Sequence, residues 1–239
     1  MAEMQAAQLD ARARKPVVVA ITGRSGSGKT TFAKRLCDQL GTDAVMLSHD
    51  DYYKHLPNMT SEEAAVYDFD SPEALDTHLL VKHLHALKAG ESVDVPSYDF
   101  AAHTRTEAAR RVEPSAVIVL EGLLIMCDPE LKSLFDLVVF VDTDPDVSVL
   151  RRIERDCKYR GTDLERAINM YLGTAKPAYE KYVEPFKCEA GLVISDASSD
   201  AALETVIAAC TSCTIGVSVE KNTKSGTLDP DCISSWKAT

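Results

Sequence analysis

The 239-residue sequence predicts an α/β fold in which a mostly parallel sheet carries helices on both faces. Two patterns predict this fold. Short runs of apolar and β-branched residues, typical of strands buried on both faces, alternate with stretches of helical periodicity. Several of the runs end in glycine-rich or acidic segments, and ligands of parallel sheets bind at the C-terminal ends of the strands.

Each predicted element follows from a local pattern. Continuous apolar runs predict the strands 16–22, 44–48, 116–120, 137–141 and 191–195. Apolar residues at helical spacing predict the helices 30–40, 73–89 and 200–210. We expect residues 1–15 to be an N-terminal extension, 16–215 to be the folded domain, and the polar, turn-rich 216–239 to be a flexible tail.

The composition excludes several classes of function. The chain has 26 Lys+Arg against 37 Asp+Glu, a net charge of −11, so its overall field repels nucleic acid and anionic membranes. No apolar run approaches the ~18 residues of a membrane span, and residues 1–15 lack the apolar core of a secretory signal. The seven scattered cysteines are typical of reduced thiols. We therefore expect a cytoplasmic protein with small-molecule partners.

The strongest motif is G-R-S-G-S-G-K-T at 23–30, which matches the phosphate-binding loop G-x-x-x-x-G-K-[ST] between a predicted strand and helix. Its backbone N–H groups can surround a phosphate chain, and the helix N-terminus adds partial positive charge. Lys29 would reach the β- and γ-phosphates. The predicted binding site for ATP or GTP comprises Gly23, Arg24, Ser25, Gly26, Ser27, Gly28, Lys29, Thr30 and Thr31.

Two acidic positions follow predicted strands and suit phosphoryl transfer. Asp50, with Asp51 beside it, can hold a hydroxyl nucleophile or bind Mg²⁺ through water, although a turn or cap role fits Asp51. Glu121 ends a buried strand as a Walker B acid does, with a strand-end turn as the alternative. The predicted Mg²⁺ ligands are Thr30, Glu121 and Asp50.

Residues 151–166, here called the basic segment, hold six Lys+Arg and four acids inside an acidic chain. Arg152 and Arg155 lie three residues apart on one helix face, and Arg160 precedes a glycine turn. Guanidinium groups suit phosphoryl oxygens, and such a segment can close over a site to keep water out. We therefore predict a lid at 151–175. Solvated ion pairs are the alternative and fit Arg151 and Arg166.

The sequence resembles the uridine kinase (uridine-cytidine kinase) family of the P-loop phosphoribulokinase/uridine kinase group. The resemblance spans about 16–210 and is carried, besides the phosphate loop, by LSHDDYYK at 47–54, YDFDSPEALD at 67–76, VPSYDFAAHTR at 95–105, VIVLEGLLIM at 117–126, FVDTDPDVSVLRRIERD at 140–156, RGTDLERAINMY at 160–171 and KPAYEKYVEPFK at 176–187. It implies a P-loop NTPase-type fold with a small β-rich nucleoside-binding insertion at 95–115 and a helical lid.

The resemblance also implies site roles. Asp50 is the implied base for the nucleoside 5′-hydroxyl, and Lys29, Arg155 and Arg160 complete the implied catalytic set on the triphosphate. The implied nucleoside-binding residues are Asp50, Tyr53, Asp70, Tyr98, Phe100, His103 and Arg152. Among these, Asp70 would hold the ribose hydroxyls, while Tyr98 and His103 would read the pyrimidine edge. Packing is the alternative for Phe100, and an ordinary loop position is the alternative for His103.

The implied activity is transfer of the γ-phosphoryl group of ATP or GTP to uridine or cytidine, with Mg²⁺, by a homo-oligomer. Thr162 and Met170 stand where the family usually has arginine and glutamine, which leaves the preferred acceptor open. One alternative is a kinase of another hydroxyl compound such as nicotinamide riboside. A non-catalytic nucleotide-binding regulator is the other, but it has no need of Asp70, Tyr98 and His103 together.

Overall fold

A computed structural model describes residues 15–56, 67–100, 102 and 104–215. Its parallel sheet contains β1 (Val17–Gly23), β2 (Ala44–Ser48), β5 (Val117–Glu121), β6 (Leu137–Val141) and β7 (Leu192–Ile194). The strand order is β2-β5-β1-β6-β7, and every pairing is parallel. All residues of β1 and β5 are buried, which explains why these strands read as continuous apolar runs.

Helices cover both faces of this sheet. In chain order they are α1 (Lys29–Leu40), α2 (Thr77–Lys88), α3 (Pro129–Ser133), α4 (Pro145–Tyr159), α5 (Leu164–Met170), α6 (Lys176–Tyr182) and α7 (Asp200–Ile215). Phe32 of α1 and Val206 of α7 pack on one face, whereas Leu80 and Leu84 of α2 pack on the other. The predicted fold class is therefore confirmed.

Two predicted helix boundaries are wrong. The helix predicted at 73–89 begins only at Thr77, because Asp76 is its N-cap and accepts a hydrogen bond from Leu79 N at 3.2 Å. The preceding Pro72–Ala74 forms a separate 3₁₀ turn. The last helix runs on to Ile215 and so contains Cys210 and Cys213 within its length.

A small antiparallel hairpin projects from the sheet. Its strands are β3 (Val93–Asp99) and β4 (Thr104–Val112), paired from Val93↔Val112 to Asp99↔Thr104 with a register shift between Pro96 and Tyr98. The predicted β-rich insertion is present, two residues earlier than expected at its start. Ala101 and His103, at the tip, lie outside the described residues.

Short turns connect the larger elements. His49–Tyr52 and Glu184–Glu189 are 3₁₀ turns, and Tyr171–Ala175 is a π-helical turn between α5 and α6. In the described part of the chain, no helix combines the length and apolar character needed to cross a membrane. Most of the predicted N-terminal extension and the whole predicted tail lie outside the described residues.

Candidate active site

The phosphate-binding loop lies at the C-terminal end of β1, packed against the start of α4. Gly26 has φ +85°, and a Cβ atom there would lie 2.1 Å from the carbonyl oxygen of Ser148, so a side chain is excluded. Thr143 Oγ1 donates to Ser27 O at 2.8 Å and fixes the loop from the β6 side. Lys29 is largely buried, while Thr30 and Thr31 are exposed in the first turn of α1.

Glu121 connects the phosphate loop to the end of β2. Its Oε2 accepts from Thr30 Oγ1 at 3.1 Å, and its Oε1 accepts from Ser48 Oγ at 2.6 Å. Burial raises the pKa of Glu121 and the charge of Asp50 adds to this, whereas Lys29 and the two hydroxyls oppose it. Of the predicted Mg²⁺ ligands, Thr30 and Glu121 are thus in direct contact, and Asp50 is near enough for its charge to act on Glu121.

This donor set fits Mg²⁺. The ion prefers oxygen ligands and is usually held by one or two carboxylates together with substrate phosphates. Among the described residues, no group of three or more His, Cys, Asp or Glu side chains could hold a metal by itself. A hydroxyl and a carboxylate beside a phosphate loop match that mode of binding.

Asp50 lies in the 3₁₀ turn that follows β2, and His49 anchors the turn from behind. His49 is 1% exposed, and its Nε2 lies 3.2 Å from Thr77 Oγ1 on α2. Burial lowers the pKa of His49 to about 4, so the imidazole is neutral at pH 7. A Cβ atom at Gly122 would lie 2.5 Å from His49 Cβ, so glycine is required there.

The rings of Tyr53, Tyr98 and Phe100, here called the aromatic pocket, pack on one another beside the turn that holds Asp50. The Tyr53 ring centroid is 5.1 Å from that of Tyr98 and 6.0 Å from that of Phe100, and its hydroxyl donates to Phe69 O at 2.9 Å. Burial raises the pKa of Tyr98 to about 12. Its buried hydroxyl has no hydrogen-bond partner among the described residues, which suits a polar group on a planar ligand. His103, the predicted partner of Tyr98, lies outside those residues.

Asp70 lies at the edge of this pocket. Its Oδ1 is 3.5 Å from Arg152 Nη1, and its Oδ2 accepts from Thr174 Oγ1 at 3.0 Å. Thr174 is in the π-helical turn, and its hydroxyl is also 2.9 Å from Met170 O. Asp70 and Arg152 were predicted to act on the nucleoside, and the structure brings them together. No sequence pattern pointed to Thr174.

The predicted lid places its arginines beside the pocket. Arg160 lies over the Phe100 ring, 4.4 Å from its centroid, and Arg155 donates to Asp156. Burial and the neighbouring Arg155 lower the pKa of Arg160, yet an arginine stays charged. Arg160 therefore contacts Phe100, one of the predicted nucleoside-binding residues, and its implied role on the triphosphate stays a prediction.

Arg24 and Arg105 stabilise the site from opposite ends. The Arg24 guanidinium lies 3.8 Å from the centroid of the Tyr179 ring on α6. Arg105 donates to the carbonyl oxygens of Tyr53 at 2.8 Å and Tyr52 at 3.1 Å, and to Asp76 Oδ2 at 3.2 Å. Sequence reasoning assigned no role to Arg105, although it ends the Y-D-F-x-x-H-T-R stretch that carried the resemblance.

Comparison with known proteins gives concordant results. Residues 18–202 match the model of the phosphoribulokinase / uridine kinase family. The chain is 42% identical over 186 residues to a uridine kinase of Ligilactobacillus salivarius (strain UCC118), an alignment that covers 77% of this chain and 87% of that protein.

Solved structures share the fold at low sequence identity. A phosphoribulokinase from Rhodobacter spheroides superposes with a TM-score of 0.55 at 19% identity, covering 77% of this chain and 73% of that one. A possible uridine kinase from Bacillus stearothermophilus gives 0.52 at 22% identity, with 82% and 100% covered. These likenesses concern the fold alone.

Proposed function

The chain belongs to the phosphoribulokinase/uridine kinase family, and from this membership we propose that it transfers the γ-phosphoryl group of ATP or GTP to the 5′-hydroxyl of uridine or cytidine. The observation that carries the proposal is the proximity of Asp50 both to Glu121, beside the phosphate loop, and to Tyr53 of the aromatic pocket, since its charge acts on both side chains. The charges of Asp50, Asp70, Arg152 and Arg160 all act on this buried tyrosine, so the base, the ribose-binding acid and two arginines share one space.

On the donor side, the phosphate loop and Lys29 bind the triphosphate. Thr30 and Glu121 would hold Mg²⁺, with Asp50 reaching it through water, and the ion would neutralise charge on the phosphate oxygens. Lys29 and Arg155 stabilise the charge that develops on the transferred group, because fixed cations cost no reorganisation when that charge appears.

On the acceptor side, Asp70 accepts hydrogen bonds from the vicinal ribose hydroxyls, which suit the two oxygens of a carboxylate. Tyr53, Tyr98 and Phe100 enclose the base. Asp50 orients the 5′-hydroxyl and takes its proton as transfer proceeds. An aromatic pocket with a buried Tyr98 hydroxyl that has no partner in the described part of the chain favours a planar polar base over ribulose phosphate, which has no ring to contact.

We also propose a homo-oligomer in the cytoplasm. The apolar side chains of Leu164, Ile168 and Leu172 are 59%, 38% and 58% exposed at four-residue spacing, which supports a contact between copies. The six cysteines among the described residues are all free, as expected of a reducing compartment. Light scattering of the purified full chain tests the assembly.

An acceptor panel tests the activity. ADP formation from ATP and Mg²⁺ is measured with uridine, cytidine, nicotinamide riboside, ribulose phosphate or no acceptor. We expect uridine and cytidine to give the highest kcat/KM. A higher kcat/KM with nicotinamide riboside would assign the pocket, including Thr162 and Met170, to that acceptor instead. ATP binding without acceptor-dependent ADP formation would favour a regulator.

A further inference from the structure

The basic segment is organised around one carboxylate. Asp156 Oδ1 accepts from Arg155 Nε at 3.0 Å and from Arg155 Nη2 at 2.8 Å. Arg160 Nη1 lies 3.5 Å from the same oxygen, and Arg152 Nε lies 3.5 Å from Oδ2. Three guanidinium groups therefore surround a single acidic side chain.

The same network extends to the acceptor pocket. Arg152 also pairs with Asp70, and Arg160 lies over Phe100. The side chains of Arg152 and Asp156 are only 8% and 11% exposed, so solvent screens their charges weakly. A change of charge at Asp156 therefore alters the electrostatic environment of Arg152 and Arg160 and, through them, of Asp70 and Phe100.

The backbone of Asp156 also fixes the turn after α4. Its carbonyl oxygen accepts from Arg160 N at 3.3 Å and from Thr162 N at 3.1 Å. Gly161, with φ +66°, provides the reversal between them. Arg160 thus leaves the helix at a position set by the same residue whose carboxylate contacts its guanidinium.

We propose that Asp156 is a positioning residue, which rests on the proposed function: it holds Arg152, Arg155 and Arg160 where they can serve both substrates. Without its charge, the three guanidinium groups repel one another. Arg152 keeps Asp70 as a partner, whereas Arg155 and Arg160 become free to turn to the phosphates of a bound triphosphate. ATP is then bound more tightly in the ground state, while the transition state loses its aligned cations. The reaction becomes slower, because only binding that is stronger in the transition state than in the ground state accelerates it.

The test compares Asp156→Asn with Glu154→Gln. The first keeps the side-chain shape and removes the charge; the control removes the same charge from the same helix, where Glu154 pairs only with the exposed Lys158 in the described contacts, at 2.5 Å. For Asp156→Asn we expect kcat to fall roughly 10²-fold. The Kd of a non-hydrolysable ATP analogue, measured without acceptor, should fall roughly 3- to 10-fold. The control should change neither.

A second comparison asks whether Asp156 acts through Arg155. In an Arg155→Ala background, Asp156→Asn should lower kcat far less than in the wild type, because contacting residues are not additive. If Asp156→Asn does not fold, Asp156→Glu replaces it. That variant keeps the charge but moves it by one methylene, so it should retain nucleotide affinity while kcat falls.

Two results would overturn the proposal. One is an Asp156→Asn or Asp156→Glu variant with the kcat of the Glu154→Gln control. The other is an Asp156→Asn variant that loses nucleotide affinity together with kcat. If the wild type phosphorylates no nucleoside, the proposed function fails, whereas the nucleotide Kd comparison, which needs no acceptor, still decides the role of Asp156.

Discussion

Asp50 is the residue on which the chemistry of the site depends most directly. Replacing it by asparagine keeps its size and removes the base, so we expect kcat for uridine to fall roughly 10²–10⁴-fold while ATP affinity is retained. Asp51→Asn is the matched control, since Asp51 faces Arg110 at 3.8 Å instead of the pocket. Near-normal turnover by Asp50→Asn would remove this residue from the mechanism.

Arg160 can act on either substrate, and its contact with Phe100 leads us to expect an effect on the acceptor. A guanidinium over an aromatic ring contributes about 0.5–2 kcal/mol, so Arg160→Ala should raise the KM for the nucleoside roughly 2- to 30-fold, with a reduced kcat. Arg166→Ala, an exposed position on α5, provides the control. A fall in kcat at unchanged nucleoside KM would place Arg160 on the triphosphate, as the resemblance implied.

Local sequence patterns were sufficient to predict that some site residues are neighbours, but they were insufficient for others. Thr30 and Glu121 could be predicted as neighbours, because a phosphate loop and an adjacent strand end lie at the same edge of a parallel sheet. Asp156 could not, since an acid in a basic helix usually forms an exposed i,i+4 pair. Its contacts with Arg152 and Arg160 do have this i,i+4 spacing, but the Asp156 side chain is only 11% exposed, and that burial depends on the tertiary fold.

Among the elements, the β3–β4 hairpin is attached to the site by several contacts, and Arg105 contributes three of the hydrogen bonds. Arg105 joins β4 to the Tyr52 and Tyr53 backbone and to the N-cap of α2. Hydrogen bonds from a charged donor contribute about 1.5–3 kcal/mol, so Arg105→Ala should raise nucleoside KM about tenfold or more at unchanged ATP affinity.

The control for this variant is Arg111→Ala on the same strand, whose side chain is 60% exposed and pairs with Asp94 and Glu113. Exposed pairs contribute about 0–1 kcal/mol, so its KM should stay within a few-fold of wild type. Equal effects of the two variants would mean that Arg105 does not position the pocket.

The C-terminal helix α7 carries thiols that we expect to be unreactive. Burial raises the pKa of Cys210 to about 12 and that of Cys37, which packs nearby, to about 11. At pH 8 the thiolate fraction is then on the order of 10⁻³ or less, and thiolate is the reactive form. Among the cysteines of the described residues, iodoacetamide should modify the exposed Cys188 first. Equally fast modification of Cys210 would contradict this burial.

The strands and most helices could be predicted because buried apolar runs and helical stripes are local signals. The start of α2 could not be predicted in this way. Asp76, its N-cap, also donates its backbone N–H to Tyr52 O, and this contact joins residues that are distant in sequence. Strand order was equally inaccessible, since it depends on long-range pairings such as β1 with β5 and β6.

At the scale of the whole molecule, the sheet brings the phosphate loop and Asp50 to one edge. The central claim of the proposed function is that a phosphoryl group passes from a triphosphate on this loop to an acceptor at the aromatic pocket. The most direct test follows the label from [γ-³²P]ATP incubated with uridine, Mg²⁺ and the full chain. We predict that the label appears in uridine 5′-monophosphate with the wild type and is lost with Asp50→Asn. Label recovered only as inorganic phosphate, at a rate independent of uridine, would contradict the account.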